Sequence, residues 1–373
     1  MKIAVIGTRG IPNIQGGVET HCQELYPRLI ELGCDITLFT RKPYVTSSSK
    51  SYKGVHLIHL FAPKNKSLEA IMHTFLAVLF VRLSNPDIVH IHAIGPSLLV
   101  PFAKLLRLKV VVTNHGPDYD RQKWGKSAKF VLKLGEKWGT KYADKVIVIS
   151  NTIKKILEDK YGRNDCVLIP NGVNMPVKSS STDYIESLGL TKNKFIIGVG
   201  RFVPEKGFHD LIAAYCRIKK SKYKLVLVGD ADHETEYSRN LKTLARENNV
   251  VLTGFLTGDK LNEIFSHAAL FVMPSYHEGL PIALLEALSY DTDVLVSNIP
   301  ANSEIELSKD CFFEPKDIST LSLKLQLKIQ QPEKIFNTKS VNQLLRNFNW
   351  DNIAKQTLNT YEQVKLHMHT NKI

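Results

Sequence analysis

Short, continuously apolar runs rich in β-formers alternate with helical patterns along this chain, in two series separated by a polar joint, and that alternation is its strongest constraint. The first series predicts strands over Lys2–Ile6, Asp35–Thr40, Val55–Leu60, Ile88–His92, Lys109–Thr113, Lys145–Ile149 and Val167–Ile169. Helices such as Glu19–Glu31, Ser97–Leu106 and Lys126–Tyr142 fall between them. A Ser-rich stretch from Lys178 to Asp183 interrupts the pattern. It then resumes with strands predicted at Phe195–Val199, Lys224–Val228, Val250–Thr253, Leu270–Met273 and Asp293–Ser297. The intervening helices are expected at Phe208–Lys219, Glu234–Glu247, Asp259–His267 and Pro281–Leu288. Strands apolar on both faces need helices on both faces, as parallel α/β sheets provide. The expected fold class is therefore α/β, with two doubly wound parallel-sheet domains, 1–175 and 176–349, facing a cleft. A last helix at about 350–366 has no following strand and is expected to pack back onto the first domain.

A chain of 373 residues, 43% hydrophobic and 23% charged, has the length and composition of a globular protein with two cores. The nearest approach to a membrane span, Ser67 to Ser84, contains Glu69, His73 and Arg82, and reads as a buried or interfacial helix. The first residues enter a strand at once, so no secretory signal is expected. Five scattered cysteines without a C-x-x-C pair suggest neither zinc nor a disulfide framework, and fit a cytoplasmic protein. Residues 1–180 hold 26 Lys and Arg against 13 Asp and Glu, whereas the rest hold 23 of each. The whole excess of +13 therefore lies in the first half, where it would attract polyanions.

Ligands of open parallel sheets gather at the carboxyl ends of strands, and four loops there are unlike plain connectors. Gly7 to Glu19 lacks the G-x-G-x-x-G fingerprint and a Walker lysine, yet Gly16 and Gly17 precede a helix. It reads equally as an anion-facing loop or a flexible connection. In Gly198 to Gly207, Arg201 and Lys206 lie five residues apart, suited to the two phosphates of a diphosphate or to plain solvated charge. In Pro274 to Ala287, Glu278 sits in a loop, Gly279 permits close approach, Pro281 suits the first helical position, and Glu286 falls in the second turn. One carboxylate would then reach a sugar hydroxyl and the other a ribose diol, with helix N–H groups towards a phosphate. The fourth loop, Thr113 to Asp118, projects His115 beside Gly116 and Pro117.

Together these residues carry a likeness. Glu278 to Glu286, with Gly279-Leu280-Pro281 between, resembles the paired-glutamate motif of retaining glycosyltransferases of family 4. The likeness extends over nearly the whole chain, through Gly16-Gly17-Val18-Glu19, His115-Gly116, Ile169-Pro170-Asn171-Gly172-Val173, Gly200-Arg201, Lys206-Gly207, Val228-Gly229-Asp230, Gly254-Phe255-Leu256 and Trp350…Tyr361. It implies the GT-B type, with two Rossmann-like domains and no metal or other cofactor. It also implies that Arg201 and Lys206 hold the diphosphate of a nucleotide-sugar donor, and that Glu278 contacts the transferred sugar. The backbone of Gly279, Leu280, Pro281 and Ile282 would lie near phosphate and sugar, Glu286 would bind ribose, and the backbone around Phe255 and Leu256 would border the base. Gly16 and Gly17 match the phosphate-facing glycine loop, and His115 matches the histidine that approaches the reacting sugar. The opening Gly7-Thr8-Arg9-Gly10-Ile11-Pro12 is similar to bacterial members that build O-antigen and capsule, so the acceptor is expected to be a glycan or lipid-linked intermediate. Asp230 departs from many relatives, which carry an apolar residue or proline there.

Lysines at 123, 126, 129, 133, 137 and 141 recur at steps of three and four along one helical face. They suggest contact with an anionic membrane surface, at the inner face of the cytoplasmic membrane, or a solvated outer face. No nucleic-acid module accompanies the charge, so nucleic acid is not an expected partner. The rival readings are a sugar-nucleotide epimerase or hydrolase of the same architecture, and a noncatalytic nucleotide-sugar-binding protein.

Overall fold

The computed structural model of the chain describes residues 1–45, 49–63, 68–120, 125–218, 222–330 and 338–366. They form two compact units, one of Met1–Asn171 with Trp350–Ile373, the other of Gly172–Asn349.

The first unit runs β1 (Lys2–Ile6), α1 (Gly17–Glu31), β2 (Asp35–Arg41), β3 (Ser51–Tyr52), β4 (Val55–Leu60), α2 (Glu69–Ser84) and β5 (Ile88–His92). It continues through α3 (Val100–Leu105), β6 (Val110–Asn114), α4 (Lys126–Tyr142), β7 (Lys145–Val148), α5 (Asn151–Tyr161) and β8 (Val167–Leu168). Its sheet has the order β3-β4-β2-β1-β5-β6-β7-β8. All pairings are parallel except β3 with β4. That hairpin, which strand alternation did not foretell, turns on Lys53 (φ 44°) and Gly54 (φ 83°), the two positive φ angles of a tight two-residue turn. The predicted helix at Ser97–Leu106 is instead a 3₁₀ turn, Pro96–Leu99, followed by α3. Pro101 has no N–H to donate to a continuous ladder.

The second unit runs α6 (Asp183–Ser187), β9 (Phe195–Val199), α7 (Phe208–Cys216), β10 (Lys224–Val228), α8 (Glu236–Glu247), β11 (Val251–Gly254), α9 (Gly258–His267) and β12 (Leu270–Met273). It ends with α10 (Ile282–Ser289), β13 (Asp293–Ser297), α11 (Pro300–Ser303), β14 (Phe312–Phe313), α12 (Ile318–Gln330) and α13 (Thr338–Leu345). The all-parallel sheet has the order β11-β10-β9-β12-β13-β14.

The chain then returns to the first unit as α14 (Trp350–Leu366), packed on α1. Trp350, Ile353, Ala354, Tyr361 and Val364 join Cys22, Leu25, Tyr26 and Leu29 of α1 in one buried cluster over β1 and β2. The right-handed rule for crossovers explains why α2, α3, α4 and α5 take the other face of the sheet. The step from β1 to β2 goes towards one edge, and every step from β4 onward goes towards the other. All five cysteines are unpaired. Among the described residues, no helix is long and apolar enough to cross a membrane.

Trp350 is 2% exposed and meets the His21 ring edge-on at 5.4 Å. Trp350→Ala is therefore expected to lower the stability of the first unit by about 3–5 kcal/mol, read from urea denaturation. A change below about 1 kcal/mol would show that α14 adds little to that core.

Candidate active site

In the second unit the chain leaves β9 for β10 on one side and β12 for β13 on the other, although β9 and β12 are neighbours. Such a switch point leaves a crevice outside the strands' carboxyl ends. The loops Gly200–Gly207 and Pro274–Pro281 flank it. Gly207 has φ 64°, and a Cβ there would lie 2.2 Å from the Pro274 carbonyl oxygen, so the two loops approach only through glycine. Tyr276 N–H donates to the Glu205 carbonyl at 2.8 Å, tying the loops together. Tyr276 Oη also donates to Asp210 at 2.5 Å and meets His209 at 3.1 Å, so the β12 loop is pinned to α7.

On this frame Lys206 Nζ lies 2.6 Å from Glu278 Oε1, with side chains only 17% and 12% exposed. Arg201 Nη1 lies 2.8 Å from Asp232 Oδ2. Two cations and the carboxylate of Glu278 are thus set by the loops on either side of the switch point. Helix α10 starts beside them with no side-chain cap and no acid in its first turn. Its leading N–H groups and positive dipole end favour an anion. Pro281 is not the first helical residue, as expected from sequence, but the N-cap, because its ψ of 108° is extended. Leu280 and Pro281 are buried, whereas Glu278, Gly279, Ile282 and Glu286 are partly exposed. Glu286 opens the second turn, close enough that burial and then its charge push the Tyr290 phenol up to about 12. Phe255, 42% exposed, and Leu256 follow β11 where Gly254 turns the chain at φ 72°. Asp230 is drawn towards α8: Lys242 Nζ lies 2.7 Å from its carboxylate, which also accepts the Ala231 N–H.

The first unit has its switch point between β1 and β5. Gly7, at φ 108°, passes so close to β5 that a Cβ would lie 2.2 Å from the His92 carbonyl oxygen. The loop beyond it is closed by Glu19, which accepts from the Arg9 backbone N–H at 3.0 Å and pairs with its guanidinium at 3.0 Å. Gly16 is the N-cap of α1 and Gly17 its first residue. Glu19 already supplies a carboxylate to that helix start, which α10 lacks.

His115, half-buried, follows β6, where the Asn114 side chain accepts the Gly116 N–H. Its Nε2 lies 3.0 Å from His92 Nδ1. A buried chain of hydrogen bonds continues from there. His92 Nε2 meets Tyr26 Oη, Tyr26 meets His90 Nδ1 at 3.0 Å, and His90 Nε2 meets Thr113 Oγ1 at 2.7 Å. Tyr361 of α14 also reaches His90 Nδ1, at 2.6 Å. His21 stands beside them, its Nδ1 held 3.0 Å from Asn171 Oδ1. The signal for this cluster was visible in sequence as polar residues at alternate positions of a strand otherwise wholly apolar, Ile88 to His92. Donor atoms of His21, His92 and His115 all lie within 4.8 Å of one another, and among the described residues they could hold a metal ion. Here two of those nitrogens share a hydrogen bond.

Family comparisons cover both units in turn. The model of Glycosyltransferase Family 4 matches residues 15–175, and that of Glycosyl transferases group 1 matches residues 180–342. This chain belongs to the GT4-like glycosyltransferases of GT-B fold. An uncharacterized glycosyltransferase of Methanocaldococcus jannaschii is 24% identical over 97% of this chain and 98% of its own length. A UDP-Gal:α-D-GlcNAc-diphosphoundecaprenol α-1,3-galactosyltransferase of Escherichia coli is 31% identical, over 58% of this chain and 59% of its own. The structure of HepE from Anabaena in complex with UDP-glucose matches with a TM-score of 0.80 at 17% identity, over 97% of this chain and 100% of that one.

The histidine cluster makes the glycosyltransferase sensitive to acid. Burial, opposed by the Asn171 bond, lowers His21 to about 4. Burial and then the His21 charge lower His90 to about 3. His92 and His115 are lowered well below the usual range, first by burial and then by neighbouring imidazoles. All four are neutral at pH 7 in the folded chain. The unfolded chain gains protons on them below about pH 6.5 that the folded chain does not. Stability is therefore full above that pH and falls as the pH drops towards 4. Urea midpoints are expected to fall as the pH is lowered from 7 to 4.5, and His90→Gln is expected to make the slope of that fall shallower. An unchanged slope in the variant would show that His90 does not titrate with unfolding.

Proposed function

We propose that this glycosyltransferase moves a sugar from a nucleoside diphosphate to an acceptor hydroxyl with the anomeric configuration retained, without a divalent cation. The observation that carries the reading is the uncapped start of α10 beside the Lys206–Glu278 pair at the β9–β12 switch point. Negative charge grows on the diphosphate as it departs. Lys206 and Arg201, on leaving their partners Glu278 and Asp232, and the α10 N–H groups would stabilise it. As Lys206 turns its charge to the phosphate, Glu278 becomes an acceptor for a hydroxyl of the transferred sugar. Glu286 would bind the ribose diol, and the backbone at Phe255 and Leu256 would border the base. From the first unit, His115 would serve the reacting sugar and the Gly16-Gly17 loop the phosphate. The departing phosphate would take the acceptor's proton, so no protein nucleophile is invoked.

The acceptor we infer is a glycan or lipid-linked intermediate of a surface polysaccharide such as O-antigen or capsule. The E. coli relative, whose name gives a diphosphoundecaprenol acceptor, supports this class. The HepE complex supports trying UDP-sugars first. We place the enzyme at the inner face of the cytoplasmic membrane, held by the positive excess of residues 1–180.

Thermal stability measured against nucleotides and nucleotide sugars is expected to rise with one donor class, in the presence of EDTA as in its absence. With that donor, Lys206→Met and Glu278→Gln should each lower turnover about a hundredfold, the loss of one charged transition-state contact. His115→Ala should lower kcat and leave nucleotide affinity unchanged. Normal turnover in both Lys206→Met and Glu278→Gln would overturn the assignment. Sugar released equally fast without acceptor would identify a hydrolase instead.

A further inference from the structure

Helix α2 leaves a row of large apolar residues on its outer side. Leu68, Met72, Phe75, Leu79 and Leu83, at steps of four, three, four and four, form one stripe and are 54, 44, 40, 39 and 85% exposed. Phe80 beside them is 50% exposed. The polar residues His73 and Thr74 lie on the inner side, both fully buried. Ala77, Val78 and Val81 are buried with them, so the helix is apolar on its inner side as well as along the outward row, and an exposed apolar patch of this extent marks an interaction site. The stripe extends along about 24 Å of helix.

Helix α2 packs on the 3₁₀ turn Pro96–Leu99, which packs on α4, and the Phe75 ring stacks on Phe102 of α3 at 5.4 Å. All three helices lie on the same face of the sheet. On α4, Lys126, Lys133, Lys137 and Lys141 are exposed, and Phe130 among them is 68% exposed. Lys123 and Trp124 of the predicted lysine row lie outside the described residues. The single carboxylates of the two helices both turn inward. Glu69 pairs with Arg41 at 2.8 Å, and Glu136 accepts from Tyr119 and Tyr161. The exposed residues of α2 and α4 themselves thus include hydrocarbon and positive charge and no acid, although Asp120, on the 3₁₀ turn packed against α4, is exposed beside them.

We propose that α2 lies in the interfacial layer of an anionic bilayer, its stripe among the acyl chains and the α4 lysines against the head groups. A bilayer supplies both complements in one surface. A second copy of this chain would oppose lysines to lysines. The proposal deepens the membrane location given above, and is independent of the donor chemistry in the second unit.

Co-sedimentation of the full chain with phosphatidylcholine vesicles, and with vesicles also containing phosphatidylglycerol, tests it. The chain is expected to bind the mixed vesicles, less so as salt rises. Leu79→Gln/Phe80→Gln/Leu83→Gln should weaken binding at least about tenfold at low salt. Lys126→Gln/Lys133→Gln/Lys137→Gln should weaken it about as much and remove most of the salt dependence. Both variants change exposed side chains, so their melting temperatures and nucleotide-induced shifts should match the parent. A failure of the donor reading would show only in those shifts. Binding to neither vesicle, or undiminished binding by the apolar variant, would overturn the proposal. So would a concentration-dependent dimer in sedimentation equilibrium that the apolar variant abolishes.

Discussion

A missing Cβ at one residue of each unit decides how close the ends of its central strands can come. In the second unit Gly207 touches the Pro274 carbonyl, and in the first Gly7 touches the His92 carbonyl. Any other residue would push the loops apart by more than an ångström at points where backbone, not a flexible side chain, stands in the way. The close fit brings Lys206 to Glu278 in one unit, and sets β5 with His92 against the loop after β1 in the other. The same topological device, a parallel sheet whose strand order reverses beside its first strand, thus builds a separate crevice at the carboxyl ends of each sheet.

The two crevices are electrostatically unlike. In the second unit the groups are charged and paired: Lys206 with Glu278, Arg201 with Asp232, beside an uncapped helix start. Both cations there already hold a carboxylate partner, which an anionic ligand would have to displace. The first unit instead buries neutral imidazoles and phenols in a continuous hydrogen-bonded chain, where desolvation keeps protons off the rings. A buried network of this kind is stable only when each member is satisfied. Its dependence on Tyr26 of α1 and Tyr361 of α14 explains why the last helix matters to a group near the middle of the chain.

Much of the fold was legible because parallel strands buried on both faces leave long apolar runs that nothing else explains. β1, β4, β5, β9, β10, β12, β13 and α4 have the bounds expected from sequence. The hairpin of β3 and β4 was not foreseen, since two residues of strand give no periodicity, and the break before α3 came from a proline inside a helical pattern. For the site, Arg201, Lys206, Glu278, Glu286 and His115 stood out by lying just beyond strands. The structure adds their partners, which composition could not reveal. Asp232, Tyr276 and Asp210 come from three different loops or helices, and His21, Tyr26 and Tyr361 are far from His115 in sequence. The outward apolar stripe of α2 was equally hidden. A helix apolar on nearly all sides does not say which side the sheet will cover.

The proposed function requires the second unit's crevice to grip a diphosphate. The most direct measurement is calorimetric titration of the protein with a nucleoside, its monophosphate and its diphosphate. Affinity is expected to climb by at least about tenfold from nucleoside to diphosphate, and Lys206→Met to remove most of the gain. Equal affinity for nucleoside and diphosphate would contradict it, because the charges at Lys206, Arg201 and the start of α10 would then have no part in holding the ligand.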